Sequence, residues 1–104
     1  MHQLGLVLFS NDPAMLQTLS IIVSGKVQGV FYRQSTKEKA TELGITGEVR
    51  NLPNGDVYIL ATGPVDQLNA LVEWCWQGPR RAVVASVTDQ VQPLQKFVSF
   101  KIEK

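Results

Sequence analysis

The sequence predicts an α+β fold: an antiparallel sheet with two helices on one face and a short extra strand at the C-terminus. Three observations predict it. Stretches with alternating apolar residues and stretches with apolar residues three or four apart succeed one another in the order β-α-β-β-α-β. Asn54-Gly55, a strong local hairpin signal, separates the second and third strands. Gly44, Gly63-Pro64 and Gly78-Pro79 fall where helices are expected to start or stop. The 104 residues contain no repeat, linker or low-complexity tract, and the length suits one domain with one modest core.

Residues 1–16 stand apart from this pattern. Gly5-Leu6-Val7-Leu8-Phe9 could form an extra edge strand or an arm ahead of Asn11-Asp12-Pro13. The break in pattern favours a loosely attached extension, with the compact domain spanning 17–104. The first strand is expected over Gln17 to Ser24, where Leu19-Ser20-Ile21-Ile22-Val23 is β-branched and apolar. The first helix is expected from about Tyr32 to Leu43. Its Tyr32, Thr36, Ala40 and Leu43 recur at helical spacing and mark an inward face, and Gly44 supplies the stop.

The second strand, Ile45 to Asn51, places Ile45, Gly47, Val49 and Asn51 on one side by the period of two. Arg50 then points the other way and reads as a surface charge. After the turn at Leu52-Pro53-Asn54-Gly55, the third strand covers about Asp56 to Thr62. Gly63-Pro64 opens the second helix, with proline suited to the first helical position and Asp66 to the positive end. Val65, Leu68, Leu71, Val72 and Cys75 form its apolar face. Of Trp74 and Trp76, one is expected to pack and the other to be partly exposed. A fourth strand over Val83 to Gln90, a loop at Gln92-Pro93-Leu94 and a last strand over Phe97 to Ile102 complete the split βαβ, ferredoxin-like pattern. That pattern hosts many functions and identifies none.

The stretch from Gly25 to Arg33 lies between the first strand and the first helix. Gly25 and Gly29 let main-chain N–H groups turn inward, and the unpaired N–H groups at a helix start attract anions. No acidic residue occurs between Asp12 and Glu38, whereas Lys26, Arg33 and Lys37 do. The plain reading is a glycine-containing turn flanked by solvated basic residues. The sharper one is an anion seat, in which Arg33 offers a planar fork for phosphate oxygens.

Composition excludes several classes. The only histidine is His2, which removes Ser-His-Asp chemistry, a phosphohistidine and most zinc sites. The single cysteine, Cys75, excludes an internal disulfide and fits a reducing compartment. No run reaches transmembrane length, and Leu4 to Phe9 lacks the flanks of a signal peptide. A net charge of +1 demands no nucleic acid or acidic membrane. A cytoplasmic monomer is the expectation. Gly25-Lys26 is not a phosphate-loop motif, because the upstream spacing is wrong and Val27 comes directly after the lysine. Cys75 to Arg81 does match C-x5-R. Cys75, however, falls near a helix C-terminus, where the dipole disfavours a thiolate, so it reads as a core residue.

Two segments carry a resemblance. Val23-Ser24-Gly25-Lys26-Val27-Gln28-Gly29-Val30-Phe31-Tyr32-Arg33 and Gly47-Glu48-Val49-Arg50-Asn51-Leu52-Pro53-Asn54-Gly55 resemble, without a break, the V-x-G-x-V-Q-G-V-x-[FY]-R and G-x-V-x-N patterns of the acylphosphatase family. Supporting similarity runs through Gly63-Pro64 and Gly78-Pro79, over about residues 17–103; the extension before it is the main departure. The resemblance implies hydrolysis of a small-molecule acyl phosphate to a carboxylate and phosphate, with no metal, cofactor or covalent intermediate. It implies that main-chain amides of Gln28, Gly29, Val30, Phe31, Tyr32 and Arg33 hold the phosphoryl group, with Arg33 the side-chain clamp. It implies that Asn51 orients the attacking water.

The residue chemistry agrees. The leaving carboxylate has a conjugate-acid pKa near ~4 and departs without a general acid. A cradle of N–H donors with one arginine suits phosphoryl transfer, which depends mainly on positioning and charge stabilisation. Asn51 carries a donor and an acceptor on one plane but is a poor base. The substrate phosphate is the better acceptor of the water proton. Two other classes compete: a non-catalytic module binding phosphate or acyl phosphate, and a single-strand RNA binder using an open sheet face. The latter lacks the aromatic strand motif and basic surface it would need.

Overall fold

A computed structural model describes residues 15–104. The element order is β1 (Leu16–Lys26), α1 (Tyr32–Glu42), β2 (Thr46–Asn51), β3 (Val57–Pro64), α2 (Val65–Gln77), β4 (Val83–Gln92) and β5 (Phe100–Ile102). The expected extension thus lies outside the described residues except for Met15 and Leu16, and Leu16 already belongs to β1. The strands form one sheet in the order β4-β1-β3-β2-β5. β1 pairs antiparallel with both β3 and β4, and β2 with β3. β5 pairs parallel with β2, so the sheet is mixed rather than wholly antiparallel.

Alternation decides which face of the sheet is covered. Leu19, Ile21 and Val23 of β1, Val49 of β2, and Val57, Ile59 and Ala61 of β3 are all buried. They share a period of two and meet the helices' inward residues: Tyr32, Thr36 and Ala40 from α1, and Leu68, Leu71 and Cys75 from α2. Leu43 and Val72 pack at the margin of this core. Trp74 is partly buried against the Tyr32 ring, centroids 5.5 Å apart, whereas Trp76 is 53% exposed. On the opposite face the Thr18 and Thr62 hydroxyls are 2.6 Å apart, and Thr62 Oγ1 donates to the Gln95 carbonyl at 2.6 Å. The Gln95 N–H donates to Thr18 Oγ1 at 2.9 Å, so the β4–β5 connection is pinned across the sheet.

β1 runs on past Ser24 to Lys26, and three further boundaries differ from the sequence expectation for reasons of pairing. Pro64 ends β3 and precedes α2 with extended geometry, φ −63° and ψ 147°. It is the residue before the helix rather than the first within it, because its pairing with Leu16 holds it in the sheet. β4 runs on to Gln92, opposite Thr18. β5 begins at Phe100 rather than Phe97. The chain must first cross from one sheet edge to the other, and it joins β2 only where the Gly47 N–H meets the Ser99 carbonyl at 3.0 Å.

Candidate active site

The turn from Val27 to Phe31 connects the end of β1 to α1. Val27 and Val30 are buried and anchor it to the core. Between and after them Gly29 (φ +76°) and Phe31 (φ +67°) both adopt left-handed backbone. For glycine this is inexpensive; for a phenylalanine it is strained, and such strain gathers at functional turns. Alternation of this kind curls successive N–H groups toward one concave side. Among the described residues no side chain caps α1, and its first turn holds no acid, so the positive end of the helix is not neutralised from within. Among the described residues, the turn hydrogen bonds include none donated by the main chain of 28 to 33.

A cleft of about 390 Å³ opens beside this turn, lined by Val27, Gly29, Phe31, Tyr32, Arg33, Gln34, Asn51 and Ile102. Arg33 reaches it from the first turn of α1, and its Nη1 donates to the Glu103 carbonyl at 3.3 Å. The Glu103 N–H in turn donates to the Val49 carbonyl at 2.8 Å. The main chain after β5 therefore links Arg33 to β2, two residues before Asn51. Asn51 reaches the cleft from the end of β2, on the same side of the strand as buried Val49. Its Oδ1 is buried with no partner among the described residues, a costly state for a polar atom unless something else satisfies it.

Of the residues predicted from sequence, Gly29, Phe31, Tyr32, Arg33 and Asn51 come together around the cleft; Gln28 and Val30 do not line it. Val30 is a core residue by its side chain. The Gln28 side chain turns instead to the β2–β3 turn. The Tyr32 ring points into the core, where its hydroxyl donates to the Cys75 carbonyl at 2.6 Å. Arg50 does not line the cleft; its Nη2 pairs with Glu48 Oε2 at 2.8 Å, and its Nε is buried with no partner among the described residues. Sequence reasoning missed Ile102 and Glu103 as neighbours of the site, since the pattern there marks only a closing strand. No local signal distinguishes them, because their role comes from β5 lying beside β2.

Cys75 is fully buried in the last turn of α2. Burial pushes its thiol up from the ordinary 9.0 to about 12, against a smaller lowering from the Tyr32 hydroxyl. A thiol in that state is no nucleophile at neutral pH, which disposes of the C-x5-R reading. Among the described residues no helix is long and apolar enough to cross a membrane, and no group of three or more His, Cys, Asp or Glu side chains could hold a metal ion.

Comparison with known proteins bears on the family and the fold. The family model described as acylphosphatase matches residues 19–102. The chain is 58% identical over 82 residues to an acylphosphatase of Marinobacter nauticus, covering 78% of this chain and 89% of that one. Among solved structures, an acylphosphatase from Coxiella burnetii superposes with a TM-score of 0.83 at 38% identity, covering 90% of this chain and 96% of that one. An acylphosphatase from Bacillus subtilis superposes with a TM-score of 0.82 at 33% identity, covering 86% and 100%. Motif, fold and relatives thus converge on one conclusion: the chain belongs to the acylphosphatase family.

Proposed function

We propose that the chain hydrolyses the carboxyl–phosphate bond of a small acyl phosphate in the cleft between the 27–31 turn and the end of β2. The phosphoryl oxygens rest on main-chain N–H groups of 28 to 33 and on the Arg33 guanidinium. Asn51 holds the attacking water. The observation that carries this reading is the meeting, in one cleft, of an uncapped helix start, a guanidinium and an asparagine.

Each part has its cause in charge and geometry. Charge on the equatorial phosphoryl oxygens is met by donors already in place, so little reorganisation is needed as the bond breaks. The Glu103 carbonyl supports one end of the guanidinium, leaving its other N–H groups to face an oxyanion. The unsatisfied Asn51 Oδ1 is an acceptor for a water proton, which supports a positioning role rather than a basic one. The carboxylate, with a conjugate-acid pKa of ~4, departs unprotonated, and the water proton goes to the phosphate. A free, buried Cys75 supports the further expectation of a reducing setting. The proposal also includes a cytoplasmic monomer without nucleic-acid partners.

The test is benzoyl phosphate turnover on three proteins. Wild type should turn over the substrate. Arg33→Ala should lose about 10²–10³ in kcat, as for loss of one oxyanion donor, and bind inorganic phosphate more weakly. Asn51→Ala should lower kcat while phosphate inhibition is retained. Phosphate binding without any turnover by the wild type would leave a non-catalytic binding module. Equal weakening of phosphate binding in both variants would defeat the division of roles.

A further inference from the structure

One side chain joins the two halves of the site. Gln28 Nε2 donates to the main-chain carbonyl of Leu52 at 2.9 Å and to that of Asp56 at 2.8 Å. The same two carbonyls close the turn after Asn51: the Leu52 N–H donates to the Asp56 carbonyl at 2.8 Å, and the Gly55 N–H to the Leu52 carbonyl at 3.1 Å. An amide nitrogen has two N–H groups, and Gln28 uses both on these carbonyls. None remains for an anion. Reversing the amide would set oxygen against two carbonyls, so the hydrogen-bond pattern itself assigns the orientation.

Asn51 has no side-chain tether of its own among the described residues. Its position is set by backbone: on one side β2, in register with Val57 of β3, and on the other side the 52–56 turn. We propose that Gln28 is a positioning residue, pinning the 52–56 turn to the 27–31 turn and thereby holding Asn51 at a fixed distance from the phosphoryl seat. The inference rests on the role proposed above for Asn51. It assigns the Gln28 side chain to water alignment, leaving only its main chain to the anion. Small misplacement of a group that aligns reactants costs up to about 10² in rate.

A double-mutant cycle tests this: wild type, Gln28→Met, Asn51→Ala and the double variant, with kcat on benzoyl phosphate and the inhibition constant of inorganic phosphate measured for each. Met keeps the length of Gln without its donors. Gln28→Met should lower kcat about tenfold or more and leave phosphate inhibition within about twofold. In the Asn51→Ala background it should have no further effect on kcat, because its influence passes through Asn51. A multiplicative loss in the double variant, or tenfold weaker phosphate inhibition in Gln28→Met, overturns the inference and leaves the Asn51 role standing. Undiminished kcat in Asn51→Ala overturns both. If Gln28→Met does not fold, Gln28→Asn, which keeps the amide but falls a methylene short, is read by the same criteria.

Discussion

Tyr32 serves two regions at once. Its main chain begins α1 beside the 27–31 turn, while its ring lies between the helices, 2% exposed, with its hydroxyl on the Cys75 carbonyl. Burial raises the phenol well above the usual tyrosine value, and the neighbouring Cys75 adds to the rise. The Cys75 thiol is raised by burial from 9.0 to about 12. Both groups are acids whose neutral form the fold prefers. Well below pH 9 both are protonated folded or unfolded, and neither affects stability. Above pH 9 the unfolded chain releases the Cys75 proton, and above pH 10 the Tyr32 proton, while the folded chain retains them. Stability should therefore fall as pH rises, by up to about 1.4 kcal/mol per pH unit for each group. Urea unfolding between pH 8 and 11 should show the decline, and Cys75→Ala should flatten its first part. A pH-independent midpoint would refute the linkage. Thiol-blocking reagents should leave the activity of the folded protein intact.

At the scale of the element, the glycines of the two motifs serve different ends. A Cβ on Gly47 (φ +146°) would stand 2.0 Å from the Leu60 carbonyl oxygen, in the neighbouring strand. Backbone cannot yield there without breaking β2 from β3. A Cβ on Gly29 (φ +76°) would meet nothing within 4 Å. Gly47→Ala should therefore cost about 3 kcal/mol or more, the range of severe steric substitutions. Gly29→Ala should cost only the left-handed strain of about 1–2 kcal/mol, and should weaken phosphate binding by distorting the turn. Denaturant unfolding of the two variants separates the cases; equal losses would mean that the close approach at Gly47 is relieved elsewhere. Gly47 thus shapes the strand that presents Asn51, as Gly25 of the first motif, whose Cβ would stand 2.3 Å from the Val83 carbonyl oxygen, shapes the end of β1, whereas Gly29 shapes the turn.

At the scale of the whole molecule, the site is assembled from the turn after β1, the first turn of α1, the end of β2 and the chain after β5. The last of these closes it, since Glu103 accepts from Arg33 and donates to Val49. A chain ending at Ile102 loses both bonds. Its stability should fall by about 1–2 kcal/mol, the worth of two ordinary hydrogen bonds. Its affinity for phosphate should fall as well, because the freed guanidinium must be ordered by the ligand. Calorimetric titration of phosphate into the shortened chain checks this, and unchanged affinity would show that Arg33 needs no support from Glu103.

The elements and the two motifs were legible in the sequence because their causes are local. Period-two burial marks β1 to β3, helical spacing of Tyr32, Thr36 and Ala40 marks α1, and Asn54-Gly55 marks the hairpin. The run from Gln28 to Arg33 is contiguous, so the glycine placement and the absence of acids that motivate the proposed anion seat could be read directly from it. Asn51 was legible as the end of a motif. What it faces was decided by the antiparallel register of β2 with β3 and by Gln28 reaching a turn 24 residues away. The short parallel strand β5, the placing of Pro64 before α2 and the contribution of Glu103 were likewise decided only in three dimensions. Each depends on which strand lies beside which, and hydrogen bonds between main-chain groups distant in sequence leave no mark on the side chains that make a pattern.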